Sequence, residues 1–303
     1  MSVLRICLLG QLRIARADSP STVKATHTVQ ALLAYLLLQR QRSQPRETLA
    51  GLFWGDYSQE RARRCLNTTL WRLRQVLEPD GIPRGTYLLT MSADEVGFNL
   101  ESDYWLDVAT FEEQIGPVLA KPVEAMQSAD AQVVENALQL YTGELLEGFY
   151  DDWALRERER VRRVYLNCLA HLMGYYKHHQ AFQESLLCGQ RILDQDPLRE
   201  EIHREMMRLY VANGQRALAM RQYELCCQVL AMELGIPPME ETQAVYAEVL
   251  GATSALQLLS LSERQSPLYP QAVQQLRLAL QGLEEARTQV QRAVQLLEHL
   301  VER

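Results

Sequence analysis

The chain contains no C-x-x-C pair, no G-x-x-x-x-G-K string and no apolar run near the roughly 20 residues that span a bilayer. These absences exclude a dithiol redox motif, a P-loop nucleotide site and a membrane-spanning helix. Arg5 interrupts a short apolar run at the start, which is too brief for a secretory signal, so a cytoplasmic protein is expected. The six cysteines, Cys7, Cys65, Cys168, Cys188, Cys226 and Cys227, fall mostly on apolar helix faces and are expected as reduced packing residues rather than as a redox sensor. His178 and His179 have no third ligand at suitable spacing, so no metal site is expected. No other cofactor and no catalytic constellation is indicated, and the chain reads as a non-enzyme.

What is present is an uneven distribution of charge. The 303 residues carry a net charge of −7, yet residues 1–90 hold 13 basic and 6 acidic residues, leaving 18 and 32 for residues 91–303. A basic head of +7 is thus joined to an acidic body of −14. That asymmetry suits a DNA-binding module attached to one that contacts protein.

The basic head contains one helix of unusual pattern, RARRCLNTTLWRLRQVLE, from Arg61 to Glu78. At 3.6 residues per turn, Ala62, Leu66, Leu70, Leu73 and Leu77 form one stripe, and Arg61, Arg64, Thr68, Arg72 and Gln75 form the other. Such a helix either presents a solvated basic face or enters a major groove. Its neighbours favour the groove. Val3–Leu9 and Leu12–Ile14 predict two short strands turning on Gly10, and Val29, Leu32, Leu33, Leu36 and Leu37 predict a helix. Pro45 is expected to open a second helix through Leu52. After the basic helix, Thr86–Thr90 and Val96–Leu100 flank Ser92–Glu95 and predict a β-hairpin. Strands, three helices and a closing hairpin make a winged helix-turn-helix.

From Asp107 the pattern is helical almost to the end. Tyr176 and Tyr210 are separated by 34 residues, the tetratricopeptide period. Ala219, Tyr223 and Cys226 occupy small, large and small packing positions, while Ser185, Gly189 and Ile192 mark a degenerate first unit. Asp151 and Asp152 are expected to cap the helix that follows, and Arg156–Arg160, with alternating sign, is expected as a solvated face with local ion pairs. The fold class is therefore mainly α: a winged helix-turn-helix at 1–104, tetratricopeptide-like repeats at 105–251 and a C-terminal long helix within 252–303. In that last segment Val273, Leu276, Leu280, Leu283, Val290, Val294, Leu297 and Val301 form a heptad seam interrupted by Arg287. Such a face pairs with a second copy or docks on the repeats, and a homodimer is the favoured expectation.

The strings LRICLLGQLRI, ALLAYLLLQRQRSQPRETLAGLFWGD and LWRLRQVLEPD, followed by YWLDVATFE, LYTGELLEGFYDDWALRERERVR and LDQDPLREEIHREMMRLYVANGQRALAMRQYE, cover most of residues 3–250. In this order they resemble the SARP-type bacterial transcriptional activators, in which an OmpR-like winged helix precedes a bacterial transcriptional activator domain. The resemblance implies binding to double-stranded DNA at repeated promoter sites and recruitment of RNA polymerase holoenzyme. It places Arg61, Arg64, Asn67, Thr68, Trp71 and Arg72 at the bases. Arginine donates two bonds to guanine and asparagine exchanges two with adenine, so these residue types suit direct readout. Arg40, Arg42, Arg46 and Arg74 are candidates for phosphate contacts, which position without specifying. Asp94 and Glu95 at the hairpin tip depart from a phosphate-gripping wing. They leave open an alternative in which the winged helix of a tetratricopeptide adaptor docks on protein.

Overall fold

A computed structural model describes residues 4–16, 25–92 and 94–261. The strands β1 (Leu4–Cys7) and β2 (Arg13–Arg16) pair antiparallel, turning near Gly10, whose φ of 94° lies in the left-handed region that glycine tolerates. Three helices follow: α1 (His27–Leu38), α2 (Arg46–Trp54) and α3 (Gln59–Leu77). The stripe read from the sequence is the one that packs, since Ala62, Leu66, Leu70, Leu73 and Leu77 are all buried. Between α1 and α2 lies a two-residue strand β3 (Gln44–Pro45), and after α3 come β4 (Leu88–Ser92) and β5 (Glu95–Phe98). Sheet order β3-β5-β4 makes the wing three-stranded. Pro45 therefore differs from its expected place: it is the extended residue just before α2 and pairs with Glu95, rather than lying in the first helical turn.

Residues 104 and 105 lie within a strand. Strand β6 (Tyr104–Leu106) spans that point and pairs parallel with β1, giving a second sheet of order β2-β1-β6. The helix α4 (Asp107–Leu119) begins on the next residue, and the buried Asp107 carboxylate turns back to the first strand. It accepts the backbone N–H of Leu8 and Leu9 at 2.9 Å and that of Val108 at 2.7 Å. The β1–β2 turn is also gripped by the 142–147 segment. Leu146 N donates to Leu8 O at 2.8 Å, Gly10 N to Glu144 O at 2.9 Å, and Thr142 Oγ1 to Leu9 O at 2.9 Å.

Helices α5 (Ser128–Leu138), α6 (Asp152–His178), α7 (Phe182–Gln195), α8 (Glu200–Ala212), α9 (Arg216–Glu233) and α10 (Glu240–Leu261) complete the described chain. The pairs α6–α7 and α8–α9 are the two repeat units, with Tyr176 and Tyr210 near the ends of their first helices as the 34-residue spacing predicts. Gly189 belongs to a close crossing, because a Cβ there would lie 2.9 Å from Met206 Cγ. Tyr223 of α9 stacks on Tyr246 of α10 with ring centroids 3.9 Å apart. Asp151 takes the N-cap position of α6, although its side chain makes no capping hydrogen bond. Cys168, Cys188 and Cys226 are buried and free, and burial raises their thiols to about 12, 11 and 12, which suits packing rather than reactivity. The heptad seam from Val273 to Val301 lies outside the described residues.

The alternating run in α6 corrects its sequence expectation. Arg158 is not a solvated side chain: its guanidinium donates to the carbonyls of Leu145, Leu146 and Phe149 at 2.8, 2.6 and 2.9 Å. Arg160 bonds Glu157 at 2.7 Å and reaches Glu112 of α4, while Glu157 accepts from Gln39 beyond α1 at 3.4 Å. Aromatic rings extend the same seam. Trp153 of α6 meets Tyr35 of α1 at 5.4 Å and Phe53 of α2 at 6.0 Å, and His27 stacks on Phe149 at 4.4 Å. Replacing Asp107 with alanine strands three buried N–H groups, so urea unfolding of Asp107→Ala should show a loss of about 3 kcal/mol or more. A loss below about 1 kcal/mol would show that the turn holds without the carboxylate.

Candidate nucleic-acid interface

The helix-turn-helix geometry follows from α2 packing on α3 across the Gly55–Ser58 turn. Ser58 is the extended N-cap of α3, and Ala62 N donates to its carbonyl at 2.9 Å. With the apolar stripe fixed inward, Arg61, Arg64, Asn67, Thr68, Trp71 and Arg72 are all exposed on the outer side. Trp71 is 61% exposed, a large apolar surface left open in the middle of a basic face.

Several of these side chains are held by neighbours rather than waving in solvent. The Arg61 guanidinium lies 4.2 Å from the centre of the Tyr57 ring, where the negative face of the aromatic attracts it. Arg64 pairs with Glu60, one turn earlier, and Arg63 pairs with Glu47 of α2. Arg46 Nη1 donates to Asn67 Oδ1 at 2.8 Å. That bond takes one lone pair of the Asn67 carbonyl and leaves its amide N–H groups as donors. Thr68 Oγ1 donates to Arg64 O at 3.0 Å, so its hydroxyl oxygen keeps acceptor capacity on the exposed face.

The phosphate candidates separate into two groups. Arg42 is exposed, and Arg46 borders a cleft of about 340 Å³ with Asn67, Trp71, Gln75 and Arg84. Arg84, exposed at the foot of the wing, was not singled out from the sequence because a lone arginine in a Gly/Pro loop carries no periodic signal. Arg74 and Arg40 make contacts within the protein. Arg74 donates to Glu78 Oε2 at 3.1 Å, to Leu88 O at 2.9 Å and to Thr90 Oγ1 at 2.9 Å. Arg40 donates to Leu37 O and approaches Glu113 of α4, with its side chain only 11% exposed.

Arg74 is one half of a clamp that sets the wing against α3. Glu78 Oε1 accepts the N–H groups of Tyr87 and Leu88, both at 2.9 Å, just where β4 begins. Burial pushes this carboxyl up, but the backbone donors of Leu88, Tyr87 and Gly85, with Arg74, outweigh it and hold it below the ordinary value of 4.5. Its contribution to stability is therefore complete above that value and is lost as pH falls through the depressed one. At the other end of the wing, Glu95 is half-buried and accepts from Ser43 Oγ at 2.7 Å, while Arg46 N donates to Asp94 O at 2.7 Å. The tip thus folds toward β3 rather than presenting the Glu95 carboxylate freely outward.

A profile described as the bacterial transcriptional activator domain matches residues 106–250, from the end of β6 to the middle of α10. The chain thus carries a bacterial transcriptional activator domain and is similar to SARP-type regulators. It is 27% identical over 264 residues to the regulatory protein AfsR of Streptomyces coelicolor, covering 85% of this chain and 25% of that protein. It is also 23% identical over 233 residues to the transcriptional regulatory protein MoaR1 of Mycobacterium bovis, covering 73% of this chain and 71% of the other. The chain thus spans about a quarter of the AfsR length. Its fold is similar to that of Mycobacterium tuberculosis EmbR, solved in complex with a low-affinity phosphopeptide, with a TM-score of 0.66 and 18% identity over 88% of this chain and 73% of that one. Among the described residues, no helix is long and apolar enough to cross a membrane.

Removing Glu78 strands the buried N–H groups of Tyr87 and Leu88 and takes one of the three acceptors of Arg74. Glu78→Ala should lose about 3 kcal/mol of stability, and Glu78→Gln should flatten the fall in stability expected of the parent as pH drops below 4.5. An unchanged acid limb in Glu78→Gln, followed by thermal unfolding across pH, would remove the clamp from the explanation of the wing.

Proposed function

We propose that the chain is a sequence-specific activator that binds double-stranded promoter DNA through α3 and recruits RNA polymerase holoenzyme. The observation that carries this is the outer face of α3: basic, polar and exposed on a helix whose opposite face is anchored in the core. The bacterial transcriptional activator domain at residues 106–250 and the similarity to a transcriptional regulatory protein support the same reading. Arg61, Arg64, Asn67, Thr68, Trp71 and Arg72 are the proposed base-reading set, with Trp71 suited to apolar contact with a thymine methyl. Arg42, Arg46 and Arg84 are the proposed phosphate contacts. The acidic body, −14 over residues 91–303, is the proposed polymerase-facing part. Two copies on repeated sites would pair through the heptad seam of residues 273–301, and the cytoplasm is the proposed site of action.

The experiment is a salt titration of binding to duplex DNA. Three phosphate arginines and the arginines of α3 should give log K falling with log salt by about 0.9 per phosphate neutralised, a total slope of roughly −3 to −6. Arg64→Ala should reduce preference for a cognate duplex by about 1 to 3 kcal/mol while leaving random-sequence binding nearly unchanged. A flat salt response and an inert Arg64→Ala would favour a winged helix that docks on protein.

A further inference from the structure

Glu60 stands where a carboxylate is out of place for generic DNA binding. It is the second residue of α3, at the end of the helix that enters a groove first, and its side chain is 77% exposed. Counting from Glu60, the positions at +1, +4, +7, +8 and +11 are Arg61, Arg64, Asn67, Thr68 and Trp71, so the carboxylate shares the stripe proposed to read bases. Any approach that brings Arg64 to a base edge carries Glu60 into the same groove. There it meets a field of phosphates that repels it, unless a base supplies a donor.

A first-turn acid also favours the helix dipole, which is worth about 0.3–1 kcal/mol and requires no ligand. That role does not require Glu60 to share the reading stripe or to hold an arginine. Here Glu60 is paired with Arg64, so the two enter the groove as a neutral acceptor–donor unit rather than as a bare anion. In the major groove the arginine fork matches guanine O6 and N7, and a carboxylate accepts from the cytosine N4 amino group. Four residues of helix advance about 6 Å, and stacked bases are about 3.4 Å apart. The two contacts therefore fall within about two base-pair steps of one another.

We propose that Glu60 is a specificity-determining residue of the α3 interface: it accepts from a cytosine N4 amino group one or two steps from the guanine read by Arg64. The proposal rests on α3 being the DNA-reading helix. Glu60 restricts rather than strengthens binding, because it excludes sequences that present only acceptors at that position. The nearby Glu47 acts differently, since it lies on α2 and ties Arg63 and Gln59.

The test is selection of the full chain on a library of randomised duplex DNA, repeated with Glu60→Ala and Glu60→Gln. Circular dichroism controls for folding, and an exposed helix position tolerates both substitutions. The parent should enrich a cytosine at a fixed offset of one or two steps from a guanine. Glu60→Ala should lose that cytosine preference by tenfold or more, keep the guanine, and bind random-sequence duplex more tightly at low salt. Glu60→Gln should move the preference at that position toward adenine, which glutamine pairs with two bonds. A cytosine preference retained in Glu60→Ala, or a parent consensus without cytosine at that offset, overturns the proposal while leaving α3 as the reader. A parent that enriches no duplex overturns it together with the DNA-binding function.

Discussion

The buried carboxylate of Asp107 joins the two halves of the molecule at the level of the backbone. It closes around three N–H groups, two of them at the end of the first strand, where the chain leaves β1. Desolvation opposes its charge and raises its pKa above the ordinary aspartate value, while the N–H donors work in the other direction. A group in that position is tolerated only because it satisfies donors that would otherwise be orphaned at a turn buried between domains. Once it does so, β6 is held against β1, α4 starts in a fixed direction, and the 142–147 segment can close over Leu8 and Gly10.

A rigid junction has a mechanical consequence for regulation. Trp153 in the repeat domain touches rings on α1 and α2, and α2 packs directly on the basic helix. Arg158 and Glu157 tie the same region through backbone carbonyls and Gln39. Among the described residues, one continuous hydrophobic cluster runs from Leu4 to Leu209 and joins α3 to the repeats. In the proposed function, the position of the duplex then dictates where the acidic surface points. An activator built this way presents its polymerase-facing side at a defined angle to the promoter.

Local periodicity made much of this legible. The five buried apolar residues of α3 and its exposed arginines follow from a 3.6-residue repeat, and the 34-residue spacing of two tyrosines located both repeat hairpins. What sequence could not supply was partnership across long separations. Arg74 and Arg158 look like surface arginines in a helical pattern, yet each is consumed by carbonyls exposed at the start of a strand or in an irregular segment. Strands β3 and β6 have two and three residues, too short for alternation to register, and exist because β5 and β1 offer them open edges. Glu60 lay outside the helix as read from Arg61; α3 begins at Gln59, which puts Glu60 in its first turn and in contact with Arg64.

The most direct measurement is dimethyl sulfate protection of a duplex selected by the full chain, since methylation at guanine N7 reports the major groove and at adenine N3 the minor. Guanines in the bound half-site should be protected at N7, and that protection should vanish with Arg64→Ala under conditions where the variant still occupies the duplex. N7 positions that remain fully reactive on saturated DNA would contradict entry of α3 into the major groove.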